Sequence, residues 1–402
     1  MRLAWIVPDA DPKVASFRYR CLIPAWALQQ IGHDSAIFAN EQPDPAEFDA
    51  LVVVKQAGER LHDVARAFQA HGKPVFLDLC DNIFIPGYAQ RRGPELSAES
   101  AGDLARYADA LVTPTHALDR IARNHLGGHM ASWVVPDTAI TPDAYQAISA
   151  WLPRAVVATP PRGVDRLISG SRRVFGEEAS ASAQGGLSGD KHDSDAFGVE
   201  SDWQVDHLPE DTARVIWFGR HGSFHSEFGM GLLRPVIEEL ERAHRDRPIE
   251  LVVISNNRIR FDALTHGVKI FTRYETWSNE RVFFELSRAD LFVMPSAADP
   301  FSLCKSANRA VLALANNVPV VATYLESLEP LRDVLVIDDW RAGINTYLFD
   351  RDMADRHLRK AQPILAEQFS TEAISRLWHA MLGGDAELSE PRSYWQPAAQ
   401  IA

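Results

Sequence analysis

Cysteine is scarce. Cys21, Cys80 and Cys304 are the only three in 402 residues, and they stand far apart. They form no CxxC pair, no zinc-ligand spacing and no even-numbered disulfide framework, which argues against a stapled scaffold and for a reducing compartment. Long apolar runs are missing as well. The first, residues 3–7, stops at Pro8. A signal peptide needs a longer apolar stretch with a small-residue cleavage site, and a spanning helix needs ~20 apolar residues. A soluble, cytoplasmic protein with no transmembrane segment is the expectation. Positive charge is the third shortage: 41 Lys and Arg face 54 Asp and Glu, for a formal net charge of −13. A nucleic-acid groove needs clustered basic side chains, so no nucleic-acid partner is expected. A small basic pocket remains compatible with that balance, which makes phosphate binding a question about individual residues.

What is present is a folded composition, 46% hydrophobic and 24% charged, on a chain too long for one ordinary core. At ~150 residues per domain, two or three domains are expected. Short apolar runs alternate with amphipathic stretches, the pattern of βα units and a parallel sheet. Strands are predicted at residues 3–7, 35–38, 50–54, 75–79, 110–113 and 133–135. Helices are predicted at 17–31, with Ser16 as cap and Gly32 as stop, and at 60–71 and 117–124. Residues 159–212 are rich in Ser, Gly, Asp and Glu and read as a partly disordered linker or insertion. A second α/β pattern follows, with strands at 214–218, 249–255, 268–272, 291–295, 318–323 and 334–337. Its helices fall at 232–244, 279–289 and 306–315, with one long helical region over 353–381. The fold class is therefore α/β, with two Rossmann-like doubly wound domains facing a cleft. The first spans 1–158 and the second 213–383, followed by a tail over 384–402. Ligands of such sheets sit beyond the carboxyl ends of the strands.

Candidate site residues fall at those ends. Lys305, Ser306, Asn308 and Arg309 open a helix, where free backbone N–H groups favour an anion. Two cations there oppose the helix dipole, a conflict that a bound phosphate would resolve; pairing of Arg309 with Asp299 is the alternative. Gly219 and Gly222 suit close approach of a ligand, and Arg220 suits bidentate contact with a diphosphate. A plain tight turn is the other reading. Ser255 and Asn256 end a strand facing the same cleft, either as base or ribose contacts or as loop residues. Arg18 and Arg20 begin the first helix, to meet phosphates across the cleft or another anionic ligand, or else to form surface salt bridges. Asp78 and Asp81 follow an apolar strand, placed to act as a general base, to orient an acceptor hydroxyl, to hold a divalent metal or merely to form a turn. His33, His116 and His221 read as structural.

The segment from Asp290 through Lys305, Asn308 and Arg309 to Thr323 resembles the donor side of GT-B glycosyltransferases, in particular a bacterial, family 4-like branch with a Lys-Ser-x-Asn-Arg signature. The strand, glycine loop and helix around Gly219 are similar to the opening of that family's C-terminal domain. The stretches around Arg18, Asp78 and Asp109 resemble its N-terminal strands and first helix. The resemblance implies a GT-B fold and a metal-independent glycosyltransferase, with no cofactor and with a nucleotide sugar as donor. It also implies a sugar, lipid-linked or protein acceptor and retention of anomeric configuration in glycan or polysaccharide synthesis. Asp299 stands for the first of two family acids that face sugar and ribose, whereas the position of the second holds Ala307. That departure keeps a non-catalytic binding protein, or a GT-B enzyme of another reaction such as a sugar-nucleotide epimerase, as alternatives.

Overall fold

The computed structural model describes residues 1–39, 41–88, 96–127, 130–157, 208–220 and 229–383. Most of the expected linker over 159–212, the tail over 384–402, His221 and Gly222 lie outside the described residues.

Two parallel six-stranded sheets with flanking helices make up the fold. The first contains β1 (Arg2–Ile6), β2 (Asp34–Phe38), β3 (Ala50–Val54), β4 (Val75–Asp78), β5 (Ala110–Thr113) and β6 (Ala131–Val134), in the order β2-β1-β3-β4-β5-β6. The second contains β7 (Ala213–Phe218), β8 (Ile249–Ser255), β9 (Phe271–Thr276), β10 (Leu291–Met294), β11 (Val320–Ala322) and β12 (Val336–Ile337), in the order β12-β11-β10-β7-β8-β9. Every neighbouring pair is parallel, as in β1 with β3 and β7 with β8. The central strands are continuous apolar runs because helices cover both faces of the sheet. β3 and β8 are buried at every residue.

All twelve predicted strands exist, and one is displaced. The strand expected at 268–272 begins at Phe271 and ends at Thr276. It is the edge strand of its sheet, and Thr272, Arg273 and Glu275 are its pairing residues against β8. Polar residues are tolerated at a half-exposed edge, so the apolar run stopped short of marking it. The expected helix over 17–31 differs too. It begins at Ala15 behind Val14 with no side-chain cap, so Ser16 is not the cap, and it contains a π-helical turn at Arg18–Leu22 before regular helix resumes at Ile23–Gln30. Gly32 does end it, at φ +91°. The long C-terminal region is three helices, Trp340–Phe349, Arg351–Gln368 and Thr371–Met381. Asp350 caps the second of these and Ser370 the third. None of the described helices is long and apolar enough to cross a membrane.

Both sheets reverse their strand order at one point, between β1 and β3 in the first and between β7 and β10 in the second. Loops leaving those strands diverge and open a crevice there. Arg18 and Arg20 follow β1, and Lys55 follows β3. Gly219 follows β7, and the segment holding Lys305 and Arg309 follows β10. The last helix, Thr371–Met381, returns to the first half and packs on Ile23–Gln30. There Trp378 lies against Trp5 with ring centroids 5.0 Å apart, and the Ala139 amide donates to the Phe369 carbonyl at 2.9 Å.

His33 Nε2 and His379 Nδ1 meet at 2.8 Å in that same contact. Burial, then the positive N-terminus and His379, push the His33 imidazole down to about 4 from its ordinary 6.5. A histidine with a lowered folded pKa contributes stability that is complete above the unfolded value and fades as pH falls towards the folded one. The expected result is a urea midpoint that declines between pH 6.5 and 4, a decline that His33→Gln flattens. Parallel curves for the two proteins would contradict this reading.

Candidate functional site

The site is built around a buried arginine. The π-helical turn at Arg18–Leu22 buries all five of its residues. Such a turn is uncommon in a helix and recurs at functional sites, because the extra residue re-aims side chains. Arg20 is 1% exposed. Its Nε and Nη2 donate to the two oxygens of Asp78 at 3.0 and 2.8 Å. Its Nη1 donates to the Val135 carbonyl at 2.6 Å and to Asp137 Oδ1 at 3.1 Å. Burial works against the guanidinium charge, but Asp78 and Asp137 outweigh it and hold the Arg20 pKa above its usual value. Burial dominates at Asp78 and raises its carboxyl, with Arg20 opposing. Asp78 is wholly buried and bidentately held, so it fixes Arg20 and has no open face for an acceptor hydroxyl.

Asp137 carries the knot across the cleft. Its Oδ2 accepts from Ser306 Oγ at 2.5 Å and from Asn308 Nδ2 at 3.0 Å. A second bridge runs beside it, where Lys305 Nζ donates to Asp81 Oδ1 at 2.5 Å and Lys55 Nζ meets Asp81 Oδ2 at 2.5 Å. Burial alone would raise the Asp81 carboxyl, but Lys305 and Lys55 hold it far below the usual carboxylate range. Neutral hydrogen bonds from Asn82 Nδ2 to the Pro300 carbonyl at 3.0 Å and from Thr115 Oγ1 to the Cys304 carbonyl at 3.1 Å complete the clasp. Lys305, Ser306 and Asn308, expected on a phosphate, are thus engaged with carboxylates of the other half. The helix itself begins at Asn308, with Ala307 at its cap, so Lys305 and Ser306 precede it.

Arg309 is different. It is half-buried, and its Nη1 donates to the Phe218 carbonyl at 3.3 Å. Among the described residues no carboxylate pairs with it, and burial lowers its pKa to about 10. Asp299, its expected alternative partner, instead ties down the residues that lead into the short turn at Ser302–Cys304. It accepts from the Phe301 and Ser302 amides at 2.9 and 3.1 Å and from Ser302 Oγ at 2.6 Å. Gly219 lies directly beside Arg309, since a Cβ on it would stand 3.1 Å from Arg309 Nη1 and 3.1 Å from the Trp217 ring. Any larger residue would push the guanidinium aside, which is the close approach that glycine permits. Ser255 is fully buried and donates its hydroxyl to the Gly219 carbonyl at 2.8 Å, so it shapes the loop. Arg220 and Asn256 are exposed on either side. Arg18 lies at the same end of the first half, buried between Tyr19 and Trp277.

Two residues escaped the sequence reading. Lys55 follows β3 with φ +52°, and Asp137 follows β6 by three residues. The strand-end rule that found Asp78 applies equally to both. Asp137 went unnoticed because β6 is an edge strand whose downstream loop has no motif. His33 is structural as expected, in the contact with His379.

Breaking a buried pair strands its partner's charge, which costs ~3–5 kcal/mol, whereas an exposed pair contributes ~1 kcal/mol or less. Asp137→Ala, which strips Arg20 of one carboxylate, is expected to lower unfolding stability by about 3 kcal/mol in urea. Lys305→Met is expected to cost less than about 1 kcal/mol, because Lys305 is 40% exposed and Asp81 keeps Lys55. Equal losses in the two variants would refute this ranking.

No protein-family model and no curated protein matches the chain. Solved structures do. HepE from Anabaena, in complex with UDP and glucose, is 13% identical with a TM-score of 0.56, over 95% of this chain and 99% of that one. A glycosyltransferase from Rickettsia africae is 10% identical with a TM-score of 0.58, over 95% and 97%. Sucrose-phosphate synthase from Thermosynechococcus elongatus is 15% identical with a TM-score of 0.52, over 95% and 99%. These neighbours are GT-B glycosyltransferases. What they share with this chain at such identities is architecture, and the chain has the GT-B fold.

Proposed function

We propose that the chain transfers a sugar from a nucleoside diphosphate sugar to a hydroxyl acceptor, and that Arg309 carries the donor's diphosphate. One observation supports this above the others. Arg309 is a half-buried guanidinium with no acid partner among the described residues, beside a glycine at the strand-order reversal of a GT-B sheet. Buried charges are normally paired, so an unpaired one at a ligand crevice calls for an anion. HepE, a neighbour in fold, binds UDP and glucose.

In this reading the departing diphosphate is stabilised by a cation placed before the reaction begins, the usual source of electrostatic catalysis. Arg309 supplies the charge, Gly219 the close approach, and Arg220 an exposed second cation at the same loop. The proposed chemistry then requires neither a metal nor a cofactor. Ser255 holds the loop and Asn256 faces the nucleotide. Lys305, Ser306 and Asn308 position the helix start through the clasp, and they reach the donor only if Asp81 and Asp137 release them. Asp299 acts through the turn it ties down, bringing Phe301 and Ser302 beside the sugar. The acceptor enters from the first half. Transfer with retention, in glycan or polysaccharide synthesis inside the cell, is the finer form of the proposal.

A second reading has its own observation. Asp78 and Asp299 are both committed to internal contacts, and Ala307 stands where the family's second acid is expected. These favour a GT-B protein that binds a nucleotide sugar without turning it over. Donor consumption, measured with and without candidate acceptors, separates the two, since a binding protein releases no nucleoside diphosphate.

Thermal shift against UDP, GDP, ADP and CMP sugars tests the shared claim. A ligand at ~100 times its dissociation constant stabilises by ~2.7 kcal/mol. At least one donor is expected to raise the melting temperature by several degrees in the native protein and by much less in Arg309→Gln. No response to any donor, or an equal response in the variant, would sink the proposal.

A further inference from the structure

The cleft has a charge ledger. Among the described residues, the buried carboxylates Asp78, Asp81 and Asp137 are each matched. Arg20 serves Asp78 and Asp137, while Lys55 and Lys305 serve Asp81. Three negative charges therefore face three positive ones. Among the described residues two guanidiniums at this cleft have no carboxylate partner, Arg309 from the second half and Arg18 from the first.

Arg18 is the more unusual of the two. It is 5% exposed, yet no carboxylate pairs with it among the described residues. Its Nη1 donates to the Pro12 carbonyl at 2.7 Å, and its Cζ lies 4.8 Å from the Tyr19 ring and 5.4 Å from the Trp277 ring. Ring faces offset part of the cost of burying a cation. The Pro12 carbonyl and the Tyr19 hydroxyl take up part of the five N–H groups of the guanidinium, and neither carries a negative charge to balance it. Trp277 follows β9 of the second sheet, so Arg18 already reaches across the cleft. Tyr19 ties the two cations together. Its phenol is buried and raised by that burial, and the nearby charges of both Arg18 and Arg309 oppose the rise.

We propose that Arg18 and Arg309 are the two jaws of one clamp, one from each half, which closes on a doubly charged diphosphate group. This rests on the reading of Arg309 given above and extends it, because the donor is then gripped from both halves and not by the second sheet alone. A nucleoside diphosphate sugar carries two negative charges on its bridging phosphates, the number that the leftover cations balance. A singly charged ligand leaves one jaw uncompensated. The clamp also couples binding to closure, since neither half alone neutralises the donor.

Calorimetric titration with inorganic pyrophosphate and, separately, inorganic phosphate tests the clamp in the full-length protein. The native chain is expected to bind pyrophosphate at least ~10-fold more tightly than phosphate, and Arg18→Met to lose at least ~10-fold in pyrophosphate affinity. Arg18→Met keeps the apolar stem between the rings and removes an unpaired buried charge, so its ligand-free melting temperature is expected to hold or rise. A purely structural Arg18 would lower it. Arg18→Lys keeps the charge but loses the planar fork. It is expected to bind pyrophosphate with intermediate affinity, and it reads the clamp should Arg18→Met fail to fold. If Arg309→Gln loses pyrophosphate while Arg18→Met and Arg18→Lys match the native chain, the clamp is wrong and the Arg309 reading stands. If Arg309→Gln also binds normally, or the native chain binds no pyrophosphate, both are wrong.

Discussion

Arg20 holds a full positive charge at 1% exposure, and the geometry of the cleft follows from how that charge is satisfied. A guanidinium offers a planar fork of donors, and here the fork is divided among Asp78, Asp137 and the Val135 carbonyl. Those partners come from the ends of β4 and β6, while Arg20 comes from the π-helical turn after β1. One side chain thus gathers three strand ends of the first sheet. The cost of burying it is recovered only when every partner is in place, which makes the arrangement specific as well as stable.

The same knot decides what the second half can do. Asp137 spends its first oxygen on Arg20 and its second on Ser306 and Asn308, so the start of the helix Asn308–Ala315 is docked through a carboxylate of the opposite half. Lys305 is drawn to Asp81 in the same way. Arg309 is one residue further along and escapes both carboxylates. It lies beside Gly219 at the carboxyl end of β7, where it has a carbonyl and, among the described residues, no acid. Four neighbouring polar residues thereby divide into a clasp that organises the cleft and a cation with no acid partner among the described residues.

The architecture was legible where burial imposes a pattern. β3 and β8 are apolar throughout because both of their faces are covered, and their bounds match the sequence reading. β9 was misplaced because an edge strand can alternate Arg273 and Glu275 with Tyr274 and still pair. The π-helical turn left no local signal, since residues 18–22 contain no proline or glycine to mark a break in the helix. At the site, the conflict of two cations with a helix dipole drew attention to this segment, but it could not sort them. Lys305 and Arg309 look alike in sequence, and their difference comes from Asp81 and Asp137, which lie more than a hundred residues away along the chain. Long-range pairing of that kind has no local trace. Asp299 shows the same limit in reverse, as an acid at a functional-looking position whose oxygens serve its own turn.

The central claim is that the charge left open at Arg309 exists for a diphosphate. A crystal structure of the protein with a bound nucleoside diphosphate tests it most directly. The account expects the phosphates beside Gly219, with a phosphate oxygen within hydrogen-bonding distance of the Arg309 guanidinium and with Arg20 still held by Asp78 and Asp137. A nucleotide bound elsewhere, or an Arg309 paired with a carboxylate of the chain itself, would contradict it.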